Sequence, residues 1–205
     1  CIQTRTVLLF AAESNLHYEL LGIERRLWTL ALYEFEGKRP RIGKDSFVHP
    51  QAVVIGDVEL GENCYVGAGA VVRGDYGRIV IGNGTNIQEN CVIHAEPETI
   101  CLIEDNVLIG HAAIIHGPCL VQHGVTVGMG SIVSTGCELE AESLLGSGSI
   151  LPPRQTIPSR KLAMGNPARV VKDLGENHII YNQIGVKLYH DLAIRCQNGL
   201  KLIND

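Results

Sequence analysis

The chain has 205 residues, enough for one domain with a sizeable core. A net charge of -5, a single Trp and three Phe argue against a nucleic-acid surface, which needs a basic stripe or aromatic stacking platforms. No apolar run approaches the ~20 residues of a membrane-spanning helix, so no membrane partner is expected.

Residues 1–31 read as an N-terminal extension. Leu16, Leu20, Ile23, Leu27 and Ala31 follow helical spacing behind an N-cap candidate at Ser14. The apolar residues 7–12 make only a weak secretory pattern, short and closely followed by an acid. Residues 32–41 alternate like a short edge strand.

From Ile42 onward an aliphatic residue opens consecutive six-residue units. Six such residues run from Ile42 to Val72, three from Ile81 to Ile93, and nine from Ile103 to Leu151. Period six fits neither the 3.6 of a helix nor the alternation of a long strand, and it marks a hexapeptide β-solenoid. Three units make one triangular coil, so residues 18 apart lie on neighbouring rungs ~4.8 Å apart. The eighteen units make about six coils. Cys64, Cys91, Cys119 and Cys137 fall at the fifth place, shared with Ala52, Ala70, Ala113 and Ser131. That slot takes small inward residues, and a free thiol packs there as a small hydrophobe. No C-x-x-C pair occurs among the seven cysteines, and a reducing, cytoplasmic compartment fits this usage best.

Two prolines, Pro152 and Pro153, mark the expected end of the solenoid. The turn-rich Gly165-Asn166-Pro167-Ala168 follows, so the solenoid domain spans residues 32–172. Residues 173–205 close the chain with a helix from about Glu176, its apolar stripe read as Ile180, Ile184, Leu188, Leu192, Cys196, Leu200 and Ile203. A lone helix of this length is marginal, so it is expected to pack along the solenoid.

The breaks in the count carry the chemistry. The step from Val72 to Ile81 is nine, an insertion of three, and the step from Ile93 to Ile103 is ten, an insertion of four. Arg73, His94 and His116 are all second residues of their units, separated by 21 and 22. With the inserted residues removed, they stack on one corner of three successive coils. Two histidines one rung apart can converge on one metal ion. His111 lies five residues before His116, on the order of 16 Å along an extended edge at ~3.3 Å per residue, so it cannot join them within its own chain. Gln88 sits beside His111, one rung below. Packing identical chains around a threefold axis would bring the two corners together, which predicts a homotrimer with sites shared between subunits. Three imidazoles suit Zn2+ with an open position for water, and Fe2+ or Co2+ are alternatives. Water on such an ion can lose its proton near neutral pH.

These residues resemble the γ-class carbonic anhydrases. The matching pieces are Arg73-Gly74-Asp75, Asn86-x-Gln88-x5-His94, and Gly110-His111-x4-His116-Gly117, within a resemblance covering roughly residues 32–204. The resemblance implies a mainly β fold, a left-handed parallel β-helix with the C-terminal helix alongside. It implies a homotrimer that hydrates CO2 to bicarbonate, with zinc held by His94 and His116 of one subunit and His111 of the next. It further implies that Gln88 orients the metal-bound group, with Asn86 in support, and that Arg73 and Asp75 pair beside the site.

Two features depart from the pattern. Tyr76 stands where the well-studied enzymes carry a glutamate, and the acidic loop after His94 is shortened to residues 95–102, leaving Glu96 and Glu98 as candidates for proton transfer. The segment from Arg73 to Ile79 and the region around Tyr189 and Cys196 look closest to relatives associated with phenylacetate degradation and carnitine metabolism, some of them described as thioesterases. Three alternatives to the anhydrase therefore stand: a metal-dependent acyl-CoA thioesterase, a hexapeptide acyltransferase, to which Gly165-Asn166-Pro167-Ala168 is similar, and a trimeric scaffold.

Overall fold

Each six-residue unit forms one short strand and one corner, and stacking the units gives a left-handed parallel β-helix of about seven turns. The computed structural model describes residues 31–203, so the helix expected in the N-terminal extension lies outside the described residues. Rungs pair in parallel at the expected offsets. Ile109 pairs with Val127 eighteen residues on, and Ile87 with Ile109 twenty-two on, across the four-residue insertion.

The core is a stack of aliphatic layers. Ile79, Ile87, Ile93, Ile103, Ile109 and Ile115 are all 0% exposed. At about 1.5–3 kcal/mol for each such side chain, these layers hold the coil together without aromatic residues. The fifth-place slot behaves as expected: Cys64, Cys91, Ala52, Ala70, Ala113 and Ser131 are fully buried, and Cys119 and Cys137 nearly so. One corner turns through Gly69, Asn90, Ala112, Gly130 and Gly148, each with φ between 58° and 71°. Ala112 takes this left-handed conformation despite its Cβ, and it fixes the corner directly after His111.

Four details differ from the sequence reading. Residues 32–41 are not one edge strand: Ala31–Tyr33 and Arg41–Ile42 pair separately with the strand Val53–Leu60. A reversal at Glu36 and Gly37, both of positive φ, separates them. The three-residue insertion does not loop out. Val71–Ile81 runs as one strand, with a register shift opposite Gly56 to Val58.

The solenoid also continues past Pro152 and Pro153. Ile157 pairs with Leu139 and Ala163 with Leu145, and the hairpin of Lys161–Gly165 with Ala168–Asp173 ends the coil. The prolines sit at a corner, where no ladder N–H is required.

The fourth difference is the docking face of the helix, Glu176–Gly199. Leu192, Cys196 and Leu200 of the expected stripe do pack, against Phe47 and Tyr65, but the first half of the helix docks through Ile179 and Asn182, while Ile184 and Leu188 are 53% and 62% exposed. Asn182 donates to Thr126 Oγ1 at 3.0 Å, and Gln197 donates to the Ser46 carbonyl at 3.2 Å, so the helix runs back against the stacking direction. Gly185 decides the face. A Cβ there would lie 2.9 Å from Leu108 Cδ1, so the helix seats lowest at that glycine.

Candidate metal centre

Arg73, His94 and His116 occupy one file on three consecutive rungs: Arg73 pairs with His94, and His94 with His116. The two imidazoles are tilted against one another at 60°, with His94 Nδ1 3.4 Å from His116 Nε2. On the other side of the His94 ring, Nε2 lies 3.1 Å from Asp75 Oδ1, while the second carboxylate oxygen of Asp75 pairs with the Arg73 guanidinium. Burial would raise the Asp75 carboxyl. Hydrogen bonds from Arg73, the Tyr76 backbone N–H and His94 outweigh it and hold that group below the usual carboxylate range. Tyr76 is 62% exposed and meets the His94 ring edge-on.

The two insertions frame this file. Gly77 lies so close to the loop after His94 that a Cβ would sit 2.4 Å from the Glu96 carbonyl oxygen. Thr99 closes that loop by donating its hydroxyl to the same carbonyl at 2.7 Å. Glu96 is thereby set with its carboxylate 3.8 Å from His116 Nδ1, while Glu98 is exposed at the tip of the turn.

The second set gathers at the preceding corner. The His111 backbone N–H donates to Gln88 Oε1 at 3.2 Å, and Gln88 Nε2 donates to Asn86 Oδ1 at 3.1 Å. Asn86 is 1% exposed, and its Nδ2 has no hydrogen-bond partner. His111 Nδ1 lies 2.7 Å from Glu89 Oε2, and the Tyr65 hydroxyl donates to Glu89 Oε1 at 2.8 Å. Tyr65 in turn packs between Phe47 and Tyr189 of the helix. Among the described residues of a single chain, no three metal-ligating side chains gather around one point.

Two models of hexapeptide families match the chain: bacterial transferase hexapeptide (six repeats) over residues 39–74, and hexapeptide repeat of succinyl-transferase over residues 102–141. The carnitine operon protein CaiE of Salmonella typhi is 39% identical over 171 residues, which cover 83% of this chain and 86% of that protein. The chain belongs to the hexapeptide-repeat family that includes CaiE. This agrees with the carnitine-related branch read from the sequence. Among solved structures, a hexapeptide transferase family protein from Anaplasma phagocytophilum is 35% identical, with a TM-score of 0.77 over 80% of this chain and 97% of that one. The N-acyltransferase AntD of Bacillus cereus, solved with dTDP and 3-hydroxybutyryl-CoA, shares the fold alone, at 15% identity and a TM-score of 0.61 over 72% and 89% of the two chains.

The donor set in this member of the family fits a divalent ion of the zinc class. Two nitrogens on one tetrahedral ion with arms of ~2.0–2.1 Å lie ~3.3–3.4 Å apart, and His94 and His116 present theirs at 3.4 Å. Metal-binding imidazoles commonly give their other N–H to a carboxylate. Asp75 takes that place behind His94 and Glu89 behind His111, with Glu96 at a longer distance behind His116. Glu89 was missing from the sequence reading. The register that found Gln88 would have found it too, since Glu89 lies on the rung below His111, twenty-two residues earlier.

Proposed function

We propose that the chain is a metal-dependent hydrolase of acyl-CoA thioesters, working at sites completed where two copies meet. The observation that carries this reading is the His94–His116 pair at 3.4 Å with Asp75 on its outer nitrogen. Zinc is the ion this donor set suits best, with ferrous or cobaltous ion as alternatives. When bound, such an ion supplies an acidified water and polarises a carbonyl.

The chain's own residues do the rest. Asp75 holds the proton on His94 Nε2 and leaves Nδ1 facing His116. Glu89 holds His111 Nδ1 and leaves the other ring nitrogen for a ligand. Gln88 is fixed by Asn86 and the His111 backbone, so its amide is a preset polar group beside the reacting end. Glu96, half-exposed and 3.8 Å from His116, can pass a proton to solvent, with Glu98 further out at the loop tip.

Sharing the site calls for an assembly of copies, and a homotrimer closes it. An outward aliphatic column beside the histidine file supports such a contact. Val71, Val92, Ile114, Ile132 and Ile150 pair in succession along the same strands, with Val92 and Ile114 36% and 38% exposed. Kinship with a hexapeptide transferase family protein supports acyl chemistry over CO2 hydration, and so does Tyr76 in place of an acid. Hydration of CO2 to bicarbonate is the second reading, favoured by the same histidine set with Arg73 and Asp75.

Metal analysis of anaerobically purified protein, alongside thiol release from acyl-CoA and CO2 hydration assays, tests these readings. About one ion per chain is expected, with thiol release abolished in His111→Ala. Thiol release only on addition of an amine or sugar acceptor would make the protein a transferase. A folded trimer that stays metal-free and inert after reconstitution would leave only a scaffold.

A further inference from the structure

The first half of the helix Glu176–Gly199 carries apolar residues that its docking does not use. Ile184 and Leu188 stand more than half exposed, because the helix seats on Ile179, Asn182 and Gly185 instead. These two residues overhang a groove beside the corner that bears His111. The floor of the groove is a column of registered side chains, Leu108, Thr126 and Leu144, on successive rungs. Met129, 55% exposed, stands on the far bank. The groove encloses about 420 Å3, within the range of small-molecule sites.

No Asp, Glu, Lys or Arg lines it, so no acidic, Lys or Arg side chain there would pair with a phosphate or a charged peptide group. Gln88 and His111 stand together at one end, beside the proposed reaction, and the other polar side chains along it are the hydroxyls of Thr126, Ser147, Tyr181 and Tyr189. An uncharged chain ending in a polar carbonyl matches that distribution. From the rung of Gln88 to that of Leu144 there are three steps, or ~14 Å at ~4.8 Å per step. A zigzag of ~1.5 Å bonds advances ~1.3 Å per carbon, so the groove accommodates about ten carbons.

We propose that this groove binds the acyl chain of the thioester, a straight chain of about eight to ten carbons, with its carbonyl at Gln88 and His111. The proposal rests on the acyl-thioester reading and narrows it to medium-chain substrates.

Binding of the free acids reads the groove without turnover. Acetate, hexanoate, octanoate, decanoate and tetradecanoate would be titrated into the full chain carrying methyl-labelled Met, Leu and Ile, followed by NMR. Affinity is expected to rise about fourfold per added CH2 up to roughly ten carbons and then level off, since each buried methylene is worth about 0.8 kcal/mol. The methyls of Met129, Leu144 and Ile184 should shift together. Leu144→Trp, which fills the floor, should weaken decanoate at least tenfold, and Ile184→Ser should do so from the opposite wall if either variant misfolds. Affinity independent of chain length, shifts mapped elsewhere, or a groove already covered by a second copy or by residues 1–30 would overturn the proposal. Decanoate binding without thioester hydrolysis would support the groove and sink the thioester reading. Hydrolysis indifferent to chain length would do the reverse.

Discussion

Asp75 joins two neighbours on its own face: one carboxylate oxygen lies 3.1 Å from His94 Nε2, and the other pairs with Arg73. The ion pair with Arg73 keeps the carboxylate charged, and a charged carboxylate at that distance suits an imidazole whose outer nitrogen carries the proton. Removing such a partner typically costs 10–100-fold in metal affinity. Asp75→Ala should therefore weaken the metal by about that factor in competition with a chelator, while the thermal midpoint of the metal-free protein moves little. Unchanged affinity would mean that Asp75 serves the fold and not the ligand.

The acid behind His111 has its own support. Tyr65 donates to Glu89 beneath the helix, and burial, followed by the nearby Glu89 carboxylate, pushes the Tyr65 hydroxyl well up; Tyr189 is raised in the same way. A raised folded-state pKa gives stability that is fully present below the unfolded value, about 10 for tyrosine, and is lost as pH rises through the folded value. The stability advantage of wild type over Tyr65→Phe should thus be constant from pH 7 to 9 and shrink above pH 10. Denaturant midpoints across that range would check it, and a constant gap to pH 12 would contradict it.

The inward slot makes a prediction about thiols. Burial pushes Cys64 and Cys91 up to about 11, and all the described cysteines except Cys196 are buried. The thiolate is the reactive form, so at pH 8 a disulfide reagent should reach Cys196 first among the described cysteines. Cys64, Cys91, Cys101, Cys119 and Cys137 should react only at the rate of unfolding, read by mass spectrometry of trapped peptides. Fast native labelling of Cys64 or Cys91 would show that the slot opens.

What could be read from the chain followed from one rule, the count of six. It put Arg73, His94 and His116 in a file and small residues in the fifth slot, because a stacked coil allows each position one direction. The rule was silent where other forces decide. Ile184 and Leu188 look like a docking stripe by period, yet close approach at Gly185 and the Asn182–Thr126 hydrogen bond set the first half of the helix on a different face, while Leu192, Cys196 and Leu200 of the same stripe pack as expected. Pro152 and Pro153 look like a stop, but a corner has no ladder bond for them to break. Glu89 is within reach of the count, one rung below His111, but its role depends on the side-chain contact with His111 Nδ1, which the count does not supply.

The separation of His111 from the other two histidines makes complementation between defective chains the sharpest test of the site. A His94→Ala chain keeps His111, and a His111→Ala chain keeps His94 and His116. In the proposed homotrimer, neither variant alone has a complete site. In a mixed trimer, one of the three interfaces joins the intact pair of one chain to the intact His111 of its neighbour. Random assembly from equal amounts makes about three quarters of the trimers mixed, so roughly a quarter of wild-type activity and metal should return. The two variants would be unfolded together and refolded with metal. Recovery near that level places the two halves of the site on different chains. No recovery, from mixed trimers verified by mass spectrometry, would mean that His111 acts within its own chain or not at all, and the shared centre would fall with it.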